Sequence, residues 1–161
     1  MKYIEAPEEY LGNERSLFLA GGITGCRNWQ ADLTGLLENE DIVLLNPRRT
    51  NFPMHDKKAA LEQIGWEHTY LRRADAVSFW FPKETVCPIT LYELGVQMMK
   101  HKSLFIGVHP EYERKLDVEI QTRLERPEIE IVYDLNSLSK KIKDWVKKND
   151  KNNLLERRHA I

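Results

Sequence analysis

The sequence is poor in cysteine, in long apolar runs and in net charge. Only Cys26 and Cys87 are present. Two are too few for a secreted disulfide scaffold, and their spacing fits no metal motif. No apolar stretch approaches the roughly 20 residues of a membrane-spanning helix. The opening Met1-Lys2-Tyr3-Ile4-Glu5-Ala6-Pro7 lacks the apolar region of a secretory signal. With 24 basic and 25 acidic side chains the formal charge is −1, which gives no electrostatic reason to expect a nucleic-acid polymer as partner. Lysines crowd the C-terminal end, but Asp144 and Asp150 interrupt them, as on a solvated helix face. No repeat or low-complexity block is visible. The expectation is a reduced, cytoplasmic protein, with no membrane contact and no metal.

What is present is an alternation of apolar runs and amphipathic segments. The chain's 161 residues make one ordinary domain, long enough to bury a core unaided. Residues 1–14 read as an N-terminal arm, 15–148 as a single α/β domain and 149–161 as a charged tail. Strands are expected at Ser16–Ala20, Asp41–Leu45, Ala76–Phe81, Ser103–Val108 and Glu128–Tyr133. Helices are expected from Asn28, which supplies a cap, to about Asn39, then over Lys58–Arg73, Pro88 to about Lys100, Arg114–Leu124 and Asn136–Lys148. Ala76–Phe81 is apolar on both faces, as a central parallel strand is. Right-handed crossovers then predict a three-layer, flavodoxin-like fold with a five-stranded parallel sheet in the order 2-1-3-4-5.

In such a sheet, ligands bind beyond the C-terminal ends of the strands. The first such loop is Ala20-Gly21-Gly22-Ile23-Thr24-Gly25. Its glycines let backbone N–H groups approach an anion or a sugar, or simply make a tight turn. It has neither the dinucleotide nor the P-loop spacing, so NAD and ATP are disfavoured and no cofactor is expected. Glu67 falls on a helical stripe with Ala60, Ile64 and Leu71, where an apolar residue is expected. A desolvated carboxyl there suits a proton donor; a rim position paired with Arg72 or Arg73 is the alternative. Glu93 lies early in the helix after Pro88, beside an apolar stripe of Tyr92, Val96 and Met99, and leans toward the preceding loop. In that loop Glu84 is placed to bond sugar hydroxyls or to face solvent. Cys87, at a helix N-terminus, is where thiolate character rises. Arg48 and Arg49 follow the second strand and are candidates for a phosphate or for plain surface charge.

Taken together, Leu17-Phe18-Leu19-Ala20-Gly21-Gly22-Ile23-Thr24-Gly25, Leu44-Leu45-Asn46-Pro47-Arg48, Trp66-Glu67-His68, Ala74-Asp75, Phe79-Trp80-Phe81-Pro82 and Leu91-Tyr92-Glu93-Leu94-Gly95 resemble the nucleoside 2-deoxyribosyltransferase-like family over residues 16–110. The resemblance implies that Glu93 is the nucleophile at C1′ of a 2′-deoxynucleoside. It implies that Glu67, 26 positions earlier, handles the proton of the base, although the family carries aspartate there. It implies substrate contacts from Gly21, Gly22, Ile23, Thr24, Asn46, Asp75 and Glu84, with Asp75 also open to a structural role. The slot of a sugar-binding aspartate, six residues before the nucleophile, holds Cys87, and Phe18 lacks the hydroxyl of the tyrosine often found on the first strand. A homo-oligomer is implied, with a nucleoside or nucleotide and a free nucleobase as small-molecule partners.

The expected reaction is cleavage of an N-glycosidic bond through a glycosyl-Glu intermediate, followed by transfer of the sugar to another base. Hydrolysis of nucleoside 5′-monophosphates is the nearest alternative, weakened because the glycine loop carries no arginine. A non-catalytic nucleotide-binding module on the same fold and an NAD-type glycohydrolase are the others.

Overall fold

The computed structural model describes residues 1–53 and 55–159. The elements run β1 (Lys2–Glu5), β2 (Ser16–Gly21), α1 (Trp29–Leu36), β3 (Val43–Asn46), α2 (Lys57–Arg73), β4 (Ala76–Phe81), α3 (Pro88–Met98), β5 (Ser103–Val108), α4 (Lys115–Glu125) and α5 (Leu135–His159). All strands are parallel, in the order β1-β3-β2-β4-β5. This is the α/β three-layer fold with a five-stranded parallel sheet that the alternation predicts. Among the described residues no helix is long and apolar enough to cross a membrane.

The pleat sends alternate residues of each strand to opposite faces. Phe18, Ala20, Val77, Phe79 and Phe81 pack with Trp66 and Tyr70 of α2, Leu94 and Met98 of α3 and Val118 of α4. On the other face Leu17, Leu19, Leu44 and Trp80 pack with Trp29 and Leu33 of α1 and Leu138, Ile142 and Val146 of α5. Asn28 caps α1 as expected, its side chain accepting from Ala31 N. Pro88 opens α3, where its missing N–H would have had no partner.

The four strands from Ser16 to Val108 follow the expected order, and the difference lies at the edges. The expected arm supplies the fifth strand, β1, which pairs with β3 from Lys2↔Val43 to Glu5↔Asn46. Only Ile4 of β1 is fully buried, so no alternation marks it in the sequence. The expected strand Glu128–Tyr133 meets β5 at one bridge, Gly107↔Val132. A turn in which Ile129 N donates to Arg126 O keeps the preceding residues off the ladder. The final helix continues through the first residues of the expected tail to His159; Ala160 and Ile161 of that tail lie outside the described residues, as does Met54 of the loop before α2.

The stripe proposed for α2 also shifts. Ala59, Trp66, Tyr70 and Leu71 are its buried residues, whereas Ile64 is exposed. Two of these anchor the N-terminal segment. Trp66 Nε1 donates to Glu8 O at 2.8 Å, and Tyr10 N donates to Tyr70 Oη at 2.7 Å. Leaving the buried Tyr10 N–H unpaired costs about 1–3 kcal/mol. Tyr70→Phe is therefore expected to lower the unfolding free energy by that much, seen as a lower urea midpoint with the denaturant slope unchanged.

Candidate active site

The chain turns from β2 outward to β3, then α2 carries it back across β2 to β4. The gap between β2 and β4 is thus the point where the winding reverses, and a crevice opens there past the strand ends. It holds a cavity of about 330 Å³, at the lower end of small-ligand sites. Ala20, Gly21, Gly22, Ile23 and Thr24 form one wall, with Phe18 and Pro47 beneath them. Thr85, Cys87 and Pro88 form another. Glu67 from α2 and Glu93, Ile89 and Thr90 from α3 complete it.

Close packing shapes the glycine loop. A Cβ on Gly21 would sit 2.4 Å from a ring carbon of Trp29 and 2.5 Å from Trp80 O. A Cβ on Gly22 would sit 2.7 Å from Pro82 Cγ and 3.0 Å from Cys87 Sγ. Both are far below normal contact, so only glycine fits without movement. Gly25 has φ +75, which glycine adopts freely. The Gly22 carbonyl is pinned by Trp29 Nε1 at 2.8 Å and Gln30 Nε2 at 3.3 Å.

Across the cavity, Cys87 caps α3 in the left-handed region, φ 52 and ψ 54, a strained geometry for a residue with a Cβ. Its thiol donates to Thr85 O at 3.3 Å. Burial pushes its pKa up to about 12, opposite to the thiolate character expected from its helix N-terminal position. Cys87 forms a wall of the site with its thiol held protonated by burial.

Among the described residues, Glu67 and Glu93 are the carboxyls that line the cavity. Glu93 is pushed from 4.5 up to about 8, first by burial and then by the charge of Glu67. Glu67 is raised by burial, partly offset by a hydrogen bond from Gln63. Two buried carboxyls that feel each other cannot both ionise cheaply, so at neutral pH the pair retains a proton. Glu67 makes no ion pair with Arg72 or Arg73; Arg72 Nε instead donates to His68 Nε2 at 3.0 Å on the exposed side.

The remaining candidates divide. Gly21, Gly22, Ile23 and Thr24 line the cavity together with both acids. Asn46 does not: it is buried, its amide donates to Tyr3 Oη and Arg48 O, and its Oδ1 accepts from Arg48 N. It shapes the turn after β3 and is not free for substrate. Asp75 precedes β4, at the opposite end of the sheet. Its carboxylate accepts from Ser16 N at 2.7 Å and Ser16 Oγ at 2.9 Å, clamping β2 to β4, so the structural role is the one it fills. Glu84 is exposed and outside the cavity lining. Arg48 gives its guanidinium to Cys26 O, Arg27 O and Gln30 Oε1, while Arg49 pairs with Glu62. Neither faces the cavity. Sequence reasoning missed Thr90 and Gln63. Their signals were one helical turn of spacing from Glu93 and from Glu67.

A profile of the family described as nucleoside 2-deoxyribosyltransferase like matches residues 14–112. The chain belongs to the nucleoside 2-deoxyribosyltransferase-like family. The matched span contains β2 to β5 and every residue lining the cavity. No curated protein matches the sequence. Membership in the nucleoside 2-deoxyribosyltransferase-like family agrees with a nucleoside-modifying enzyme in general, and with small nucleosides as its substrates.

Glu93 also carries a stability consequence. Unfolded, it ionises near 4.5; folded, it holds its proton to about 8. Between these values the folded state binds more protons, so its stability falls as pH rises. Glu93→Gln removes that penalty. It should stabilise the protein by about 1–3 kcal/mol at pH 8, allowing for partial solvent access, and leave it unchanged at pH 4. Urea unfolding at the two pH values measures both.

Proposed function

We propose that the protein is an N-deoxyribosyltransferase that cleaves the N-glycosidic bond of 2′-deoxynucleosides through a glycosyl ester on Glu93 and passes the sugar to a second base. The observation that carries this reading is the pair of raised carboxyls, Glu67 and Glu93, in one cavity beyond the parallel strands. Departure of a base leaves oxocarbenium character at C1′. A carboxylate on one side stabilises and captures it, while an acid on the other protonates the base, as in retaining glycoside hydrolysis.

In the forward step a Glu93 oxygen bonds to C1′ as the C1′–N bond breaks. The electron pair leaves with the base nitrogen, which takes a proton from Glu67. The second base then attacks C1′, gives its N–H proton to Glu67 and releases the Glu93 carboxylate. This needs charge on Glu93 and the proton on Glu67. In the free protein Glu93 is the more strongly raised of the two. Substrate binding must therefore move the proton, and the partial positive charge at C1′ favours carboxylate at Glu93. Partial removal from water strengthens that attraction.

The 5′-monophosphate alternative is disfavoured by the cavity's charge. Among the described residues its lining carries two acids and no lysine or arginine, and the nearby Arg48 is committed to the backbone carbonyls of Cys26 and Arg27. A phosphate dianion would meet repulsion there. Raised acids facing a cavity also favour catalysis over a pure binding role.

Incubation with paired deoxynucleosides and free bases, read by chromatography, is expected to yield the exchanged deoxynucleoside. Release of base into water alone would make the protein a hydrolase. Glu93→Ala is expected to lose on the order of 10³-fold or more in rate with folding intact. Glu67→Gln should lower kcat by about 10²–10⁴-fold and change KM little.

A homo-oligomer fits the surface beside the site. Ile89 lines the cavity yet is 66% exposed, and Tyr92 on α3 and Met99 at its C-cap are likewise exposed, at 72% and 74%. Contiguous apolar surface of this kind marks an interface, and a second copy laid there would close the cavity mouth. Sedimentation velocity should find an assembly larger than the 19.0 kDa chain, and Tyr92→Glu should shift it toward monomer.

A further inference from the structure

Gln63 lies on α2 one turn before Glu67 and does not line the cavity. Its Nε2 donates to Pro47 O at 2.6 Å and to Glu67 Oε1 at 2.8 Å. Its Oε1 is buried with no hydrogen-bond partner in the protein. An orphaned buried acceptor is costly, so something must favour this orientation of the amide. The Pro47 carbonyl does. It can only accept, and turning the amide over would set the amide oxygen against both Pro47 O and the Glu67 carboxyl. Pro47 follows β3, whose turn is held by Asn46 and Arg48. The orientation of the amide is therefore fixed by the end of the sheet and passed to Glu67.

We propose that Gln63 is a positioning residue of the glycosyl-transfer site: locked by Pro47, it commits Glu67 Oε1 to accepting a hydrogen bond and leaves Oε2 as the oxygen that gives and takes the proton. The inference rests on Glu67 being the acid of the proposed reaction. A donor aimed at Oε1 is compatible with either protonation state. It bonds the carboxylate more strongly than the neutral acid, so it keeps Glu67 acidic enough to protonate a departing base despite its burial. The same bond keeps negative charge near Glu93, which raises the proton affinity of Glu93 in turn. Gln63 thus divides the shared proton between two carboxyls while touching neither substrate nor cavity.

The test replaces Gln63 with methionine, close in shape but unable to donate, with Gln63→Leu as a second variant should the first fail to fold. Carboxyl carbons of Glu67 and Glu93 are titrated by ¹³C NMR in the free protein, assigned with Glu67→Gln and Glu93→Gln. The expected result is opposite movement: the Glu67 midpoint rises, and the Glu93 midpoint falls because it loses a charged neighbour. A purely structural link between β3 and α2 would move neither. In turnover, kcat is expected to fall roughly tenfold with KM within about twofold, because Glu67 Oε2 loses its fixed orientation. The larger share of the proton that Glu67 then holds acts in the opposite direction and is read separately from the midpoints. The alkaline limb of the rate profile should move to higher pH. In a Glu67→Gln background, Gln63→Met should cost nothing further. Unmoved midpoints in a protein that releases base would overturn this inference and leave the proposed reaction standing. Paired shifts in a protein that releases base from no nucleoside would uphold the division of the proton and sink the reaction.

Discussion

Two carboxyl groups buried in one cavity repel each other, and in the proposed reaction the proton they retain is what the cavity offers a substrate. Glu67 and Glu93 come from different helices on the same face of the sheet. Each alone would be a half-buried acid of modest interest. Together, burial raises both, and the charge of Glu67 raises Glu93 further. Once substrate binding moves the proton to Glu67, the pair suits the proposed cleavage, which needs a carboxylate beside the positive charge growing at carbon and a proton at nitrogen. The pair also works against folding, because the unfolded chain would ionise both groups freely. Functional sites commonly hold such locally unfavourable groupings.

The rest of the fold keeps the pair in place. The double-faced core fixes β2 and β4, and the Asp75 clamp onto Ser16 joins their far ends. The reversal of winding between those strands opens the crevice. On one side Gly21 and Gly22 let the loop lie against Trp29, Trp80, Pro82 and Cys87 with no room for a side chain. On the other, Cys87 turns into α3 through a left-handed conformation, so that Thr90 and Glu93 face inward. The strain at Cys87 costs on the order of 1–3 kcal/mol.

Much of this was legible in the sequence, and the legible parts share a reason. Apart from the buried serines Ser16 and Ser78, residues 16–20 and 76–81 are apolar on both faces, a pattern with few other solutions. Asn28 and Pro88 mark helix starts through local chemistry that tertiary packing does not overrule. Glu93 stood out by its place after the most apolar strand. What escaped was decided by tertiary contact. Lys2–Glu5 joins the sheet through backbone bonds to β3, with Ile4 alone fully buried. The buried stripe of α2 is set by Trp66 and Tyr70 holding the N-terminal segment, which leaves Ile64 outside. Asn46 and Arg48 carry the chemistry of binding residues, yet their polar groups are consumed by the turn they build. Cys87 reads as a reactive thiol from its position and as an inert one from its burial.

The central claim is a covalent bond between Glu93 and the anomeric carbon of a deoxyribose. A 2-fluoro nucleoside analogue tests it directly, because fluorine beside C1′ destabilises the oxocarbenium-like state and slows release of the sugar from the protein. After incubation and proteolysis, mass spectrometry of the peptides should locate one fluorinated sugar on the Glu93 carboxyl. A sugar attached to a different residue, or steady base release with no attached sugar at all, would contradict the account.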